Sequence, residues 1–160
     1  MMHKTRPLDI AILCKVVDNY GDVGFAYRLA HALSALDGSV RIRFVIDNLA
    51  SFALLVPGID SSAAVQRYGN WTVFDWNAAD ACSASFSEAM PKIVLQCFQC
   101  PYPEWLEAIL FDKKNTAVVH VVNIDYLTAE DYAEEFHCLK SLTRSSRVQK
   151  VNFMPGFTSK

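Results

Sequence analysis

Residues 10–24, with the sequence IAILCKVVDNYGDVG, decide the fold of this chain. The apolar first part predicts a buried strand over residues 8–16. Leucines and alanines at helical spacing follow and predict a helix over residues 24–36. Two aspartates and two glycines therefore lie in a connection between a strand and a helix. In an open parallel sheet this connection lies at the carboxyl edge, where ligands bind.

The rest of the chain alternates strand patterns with helix patterns. Strands are predicted at residues 40–46, 71–76, 92–98, 117–122 and 151–154. Asp47 and Asn48 offer caps for a short helix that ends at residue 55, and further helices are predicted over 102–110 and 128–138. Residues 78–89 fit either a loop or a weak helix, and 141–150 a surface loop. This alternation predicts an α/β fold with a doubly wound, mostly parallel, Rossmann-like sheet.

Bulk properties narrow the class of protein. At 160 residues and 52% hydrophobic content, the chain is long enough for one domain with a sizeable core. A net charge of −2 gives no general reason to expect nucleic acid or an anionic membrane as a partner. Neither a signal peptide nor a long apolar run is visible, and the five cysteines are an odd number at irregular spacing. We expect a cytoplasmic protein.

Acidic side chains dominate the segment of residues 16–24, here called the opening loop. Asp18 and Asp22 argue against a phosphate ligand, although a helix N-terminus favours one, and the G-x-G-x-x-G fingerprint is absent. A carboxylate pair suits a cationic or hydroxylic partner, or proton abstraction. Taken alone, the loop favours a simpler interpretation, in which Asp22 caps the helix and Asp18 makes a side-chain turn.

Cys97 and Cys100 form a C-x-x-C motif, which by itself is a weak signal for metal or redox chemistry. Structural zinc needs four ligands, and His120, His137 and Cys138 have no matching spacing. We therefore predict no metal site, and a small apolar role for Cys97.

Asp125 and Tyr126 follow a predicted buried strand, so they are expected at the same sheet edge as the opening loop. Capping and turn formation explain the acid equally well. The tyrosine can also be a core-edge aromatic residue whose hydroxyl reaches the backbone.

Three segments together resemble one family: VVDNYGDVG at 16–24, NIDYLTAE at 123–130 and FMPGFT at 153–158. DNLASF at 47–52 and FQCPYPE at 98–104 give weaker support. The chain resembles, over nearly its whole length and in the family's order, the bacterial protein-arginine rhamnosyltransferases that modify translation elongation factor P.

The resemblance implies a GT-B fold, in which two Rossmann-like domains enclose the active site. Residues 1–160 would form the N-terminal, acceptor-binding domain, and the C-terminal domain that holds the donor is absent from this chain. The implied reaction moves rhamnose from dTDP-β-L-rhamnose to an arginine of elongation factor P, with inversion and without metal or cofactor. We expect this chain alone to be inactive.

The resemblance also assigns roles in the opening loop. Asp22 matches the general base and Asp18 a second essential acid. Asn19, Tyr20 and Gly21 match positions near the sugar.

Farther along the chain, the resemblance adds Asp125 and Tyr126 as substrate-binding residues. Gln96 and Asp125 stand where the family pattern predicts glutamates. Asp125 keeps the charge on a shorter side chain, whereas Gln96 loses it.

Two other classes of protein remain open at this point. One is a stand-alone Rossmann-type module that binds a nucleotide or sugar. The other is a flavodoxin-like regulatory interaction domain with a divalent metal at its acidic strand ends.

Overall fold

The computed structural model describes residues 8–16, 19–98, 100–124, 140–141, 143 and 145–153, with the backbone alone at 19–21 and 140–141. The strands in these ranges are β1 (Asp9–Cys14), β2 (Arg41–Ile46), β3 (Val65–Tyr68), β4 (Trp71–Asp75), β5 (Ile93–Cys97), β6 (Val119–Ile124), β7 (Lys140–Ser141) and β8 (Val148–Phe153). The helices there are α1 (Asn19–Leu36), α2 (Leu49–Leu55), α3 (Ala79–Glu88) and α4 (Glu104–Leu110). None of these helices has the length and apolar content needed to cross a bilayer.

All eight described strands belong to one sheet, in the order β3-β4-β2-β1-β5-β6-β8-β7. The six inner strands are parallel to one another, namely β4, β2, β1, β5, β6 and β8. The edge strands β3 and β7 are antiparallel to their neighbours. Numbered along the chain, the parallel strands run 3-2-1-4-5-6, which is the Rossmann order. The predicted fold class is confirmed. A flavodoxin-like order, 2-1-3-4-5, is not found, because the third parallel strand lies beyond β2 and not beside β1.

Helices cover both faces of the sheet. α1 and α2 pack on the face that carries Ile12 and Phe44, and α3 and α4 pack on the face that carries Leu13. Phe44 stacks on Phe52 of α2, with ring centroids 5.2 Å apart. Because both faces are buried, β1 and β5 consist largely of apolar residues, which is why their sequences predicted them well.

α1 begins at Asn19, and not near residue 24 as the sequence predicted. The prediction of a non-helical connection over residues 16–24 is therefore wrong for residues 19–24, which are helical. Gly24 lies inside this helix, and a Cβ placed there would be 3.8 Å from Cδ2 of Leu55, an ordinary contact. Neither a left-handed backbone nor a close approach requires glycine at this position.

Three other elements differ from the sequence prediction or resolve it. β3 is an edge strand with an exposed and alternating pattern, which carries little apolar signal. Residues 141–150, predicted as a loop, contain the end of β7 and the start of β8. The segment over residues 78–89 is the helix α3, because Cys82 and Phe86 lie one turn apart and are both buried. The helix predicted over residues 128–138 lies outside the described residues.

Candidate active site

The opening loop lies at the switch point of the sheet. The chain runs outward from β1 to β2 and β4, and then returns to place β5 on the other side of β1. β1 ends at Cys14, and α1 begins at Asn19. The carboxyl ends of β1 and β5 therefore flank the crevice in which α/β proteins of this topology bind their ligands.

Asp22 lies in the first turn of α1 and is only 2% exposed. The positive end of the helix dipole stabilises a carboxylate at this position. Burial raises the pKa of the thiols of Cys14 and Cys97, and the charge of Asp22 raises both further. The carboxylate thus lies close to the ends of β1 and β5. A buried carboxylate attracts a cation more strongly than an exposed one, because little water screens the interaction.

Buried, protonated cysteines lie at and just after the ends of β1 and β5, next to this site. Burial raises the pKa of Cys100 to about 11, and its Sγ lies 3.5 Å from the carbonyl oxygen of Leu13. A thiol with such a raised pKa stays protonated at neutral pH and is a poor nucleophile. The apolar role predicted for Cys97, which is 1% exposed, is confirmed. In the part of the chain that the structure describes, no three ligating side chains are grouped so that they could hold a metal ion.

The connection between β5 and α4 forms the opposite side of the crevice. Phe98 has a φ of 58°, and no other residue except glycine has a positive φ in the described ranges. Its N–H donates to the carbonyl of Ile124 at 2.6 Å, and its ring centroid lies 5.0 Å from that of Phe25 in α1. This left-handed turn is therefore held by the end of β6 and packed against the helix that carries Asp22.

Gln96 lies one residue before the end of β5 and is 2% exposed. Its Nε2 donates to the carbonyl of Cys100 at 2.9 Å, which closes the turn between β5 and α4. Its Oε1 has no hydrogen-bond partner among the described residues. The family pattern predicts a glutamate at this position, and an ionised carboxylate has no hydrogen to donate. The amide of Gln96 therefore makes a structural bond that a charged glutamate would not make.

Asp47, at the end of β2, was expected to cap the following helix, together with Asn48. The structure gives the capping role to Asn48, whose side chain accepts the N–H of Ser51 at 3.1 Å. The carboxylate of Asp47 accepts the N–H of Val16 instead, at 2.7 Å. Sequence reasoning missed this contact, because 31 residues separate the two partners.

The other predicted site residues lie outside the described ranges or have no described side chain. Asp18 is outside them, and only the backbone of Asn19, Tyr20 and Gly21 is described, in the first turn of α1. Asp125 and Tyr126 also lie outside, immediately after β6 ends at Ile124. Their roles remain predictions.

The Rossmann strand order and the acid-bearing loop at the switch point define the class of this chain, a Rossmann-like α/β domain of the kind found in GT-B glycosyltransferases. Residues 10–160 match the model of the family described as "Elongation-Factor P (EF-P) rhamnosyltransferase EarP". The chain belongs to this family, as its motifs predicted.

Individual relatives agree with the family model. The chain is 37% identical over 150 residues to a protein-arginine rhamnosyltransferase of Pseudomonas putida, which covers 93% of this chain and 37% of the relative. It is 34% identical over 146 residues to the enzyme of the same name in Pseudomonas aeruginosa, and this alignment covers 91% of this chain and 36% of the relative. The protein-arginine rhamnosyltransferase of Shewanella oneidensis is 31% identical over 153 residues, and this alignment covers 93% of this chain and 37% of the relative. The chain thus spans little more than a third of the length of these curated relatives.

Proposed function

We propose that this chain is the acceptor-binding part of an enzyme that transfers rhamnose to an arginine of elongation factor P. The family and the names of the relatives support rhamnosyl transfer to a protein arginine. The structural observation that carries the proposal is the buried carboxylate of Asp22 at the switch point. We further propose dTDP-β-L-rhamnose as the donor and inversion at the sugar carbon.

The chemistry that Asp22 can supply matches the difficulty of this reaction. A guanidinium is always charged in water and is therefore a poor nucleophile. In the proposed step, an arginine nitrogen bonds to C1 of rhamnose, the bond from C1 to the diphosphate oxygen breaks, and dTDP leaves with the electron pair. The nitrogen loses its proton to Asp22, which acts as the general base.

Asp18 is proposed as the second acid, which pairs with the guanidinium and orients it. Asn19, Tyr20 and Gly21 would line the sugar side of the crevice, with Asp125 and Tyr126 at the end of β6. Two carboxylates on one planar guanidinium can also twist it and localise a lone pair on the attacking nitrogen. No step of this scheme requires a metal ion or a cofactor.

The relatives are much longer than this chain, which spans 37% of the Pseudomonas putida protein. We propose that the remainder of such an enzyme holds dTDP-rhamnose, as in a two-domain GT-B arrangement. The 160-residue chain is then expected to bind elongation factor P without modifying it.

The proposal is tested by incubating elongation factor P and dTDP-rhamnose with either the 160-residue chain or a full-length enzyme that contains it. Mass spectrometry of the acceptor is expected to show one added deoxyhexose on an arginine for the full-length enzyme and none for the chain alone. Lack of modification by the full-length enzyme would contradict the proposed reaction. Modification by the chain alone would contradict the assignment of the donor site to the remainder.

A further inference from the structure

β1 and β2 separate at the point where the opening loop leaves the sheet. The parallel pairing of the two strands ends at Cys14 and Ile46. The carbonyl of Ile46 accepts the N–H of Trp76 at 2.9 Å, so it serves the connection after β4 and not the loop. We call this point of separation, after Cys14 and Ile46, the fork. Beyond it, Val16 leads directly into the residues that precede Asp22.

Asp47 closes the fork with its side chain. Its Oδ1 accepts the N–H of Val16 at 2.7 Å, in a half-buried position. A hydrogen bond to a carboxylate is shorter and about twice as strong as one between neutral groups. The carboxylate therefore takes the place of the next main-chain bond of the ladder and fixes the backbone where the loop begins.

The backbone of Asp47 is itself held on both sides. Its N–H donates to the carbonyl of Cys14 at 3.3 Å, and its carbonyl accepts Nδ2 of Asn77 at 3.0 Å. The backbone N–H of Asn77 in turn donates to Oδ1 of Asp75 at 2.9 Å. A chain of hydrogen bonds thus links the ends of β4, β2 and β1 at the point where the loop begins.

The location of Asp47 connects it to the candidate active site. The charges of Asp22 and Asp47 are both among the causes that raise the pKa of the Cys14 thiol, after its burial. Geometry gives the same placement: Asp47 donates its N–H to the carbonyl of Cys14 at 3.3 Å, and Val23, next to Asp22, packs in the core cluster that contains Cys14. Helix capping does not account for Asp47, because Asn48 caps α2.

We propose that Asp47 is a positioning residue, whose carboxylate holds the N–H of Val16 at the fork between β1 and β2 and so sets the geometry of the opening loop for the chemistry at Asp22. This inference rests on the proposed function. A displacement of about 1 Å in a reacting group can cost about 100-fold in rate. Val16 is the last described residue before α1, so we expect the loss of its bond to Asp47 to free the backbone that leads to Asp22.

The test compares three variants. Asp47→Ala removes the acceptor, and Asp47→Asn keeps an oxygen that can accept the same bond. Asp37→Ala is the control, because the carboxylate of Asp37 also accepts a backbone N–H, that of Ser39 at 2.9 Å, and the Ser39 hydroxyl at 2.7 Å. This bond is local and lies after α1, at the opposite edge of the sheet.

Two measurements are made on these variants. Hydrogen exchange of the Val16 amide is followed by NMR in the 160-residue chain, and kcat and KM for rhamnosyl transfer are measured in a full-length enzyme. For Asp47→Ala we expect the amide hydrogen of Val16 to exchange about tenfold faster or more, which corresponds to a loss of about 1.4 kcal/mol in its protection. We expect its kcat to fall about 10- to 100-fold, with KM little changed. Asp37→Ala should stay near the parent values, and Asp47→Asn should lie between the parent and Asp47→Ala, because its neutral amide oxygen accepts the same bond more weakly.

Several results would overturn this inference. One is unchanged exchange at Val16 in Asp47→Ala, and another is normal kcat despite the lost bond. An equal loss of kcat in Asp47→Asn would also contradict it, because the effect would then belong to the charge and not to the accepted bond. If the parent enzyme transfers no rhamnose, the proposed function fails instead, and exchange at Val16 still decides whether Asp47 holds the loop.

Discussion

The variant Asp22→Asn in a full-length enzyme is expected to lower kcat by about 10²- to 10⁴-fold, the usual contribution of a positioned general base. Asparagine has nearly the same shape as aspartate but cannot take up the proton that the arginine nitrogen releases. It also removes the negative charge that attracts the guanidinium, so KM for elongation factor P should rise. Steady-state kinetics with varied acceptor concentration measures both effects.

The stability of Asp22→Asn separates a catalytic effect from a folding effect. Loss of a carboxylate near a helix N-terminus costs about 0.3–1 kcal/mol, so the variant should unfold at only a slightly lower temperature. Asp80→Asn is the matched control, because Asp80 also lies in the first turn of a helix but is exposed. A kcat of Asp22→Asn within about threefold of the parent would contradict the role of Asp22 as a general base, since such bases contribute about 100-fold or more.

The sequence predicted those parts of the fold that local patterns determine. β1 and β5 are buried on both faces, so each gives a short apolar run that is recognised without knowledge of its neighbours. β3, with the sequence VQRY, lies at the edge and has one neighbour, so it carries no such run. The start of α1 was misplaced because Gly21 and Gly24 suggested a turn, whereas glycine is also tolerated within a helix at a modest cost.

The candidate site divides in the same way between local and distant contacts. Asp22 was predicted because it lies in a contiguous motif with recognisable spacing. The contact of Asp47 with Val16 spans 31 residues and depends on how two strands separate, which no local pattern encodes. Phe98 has its positive φ at an aromatic residue, where sequence rules would expect glycine or asparagine. Both features lie beside the candidate site, and both arise from the tertiary arrangement.

Gln96 shows how a single departure from the family pattern can change the chemistry of a buried position. The resemblance predicts a glutamate there, but this chain has an amide whose Nε2 donates to the carbonyl of Cys100. For Gln96→Glu at neutral pH, we expect a loss of about 3 kcal/mol or more in the free energy of unfolding, because a carboxylate would be buried facing a carbonyl oxygen. Chemical denaturation monitored by tryptophan fluorescence measures this loss.

The pH dependence of Gln96→Glu follows from the same burial. Desolvation raises the pKa of a buried carboxyl above its unfolded value of about 4.3. The folded variant therefore binds the proton more tightly than the unfolded chain, and its deficit in stability is largest above the folded pKa. The deficit shrinks as the pH falls toward the unfolded value, since the protonated carboxyl can donate to the carbonyl of Cys100.

Gln149→Glu, at an exposed position of β8, is the control for the effect of added charge, and its stability should follow that of the parent at every pH. A Gln96→Glu variant as stable as the parent at neutral pH would show that a carboxylate finds a compensating partner at this position. The turn between β5 and α4 would then tolerate either residue, and the hydrogen bond to Cys100 would not be what keeps glutamine in this chain. A loss of stability in Gln96→Glu that is confined to neutral and higher pH would instead show that the turn between β5 and α4 depends on the hydrogen bond from the Gln96 amide.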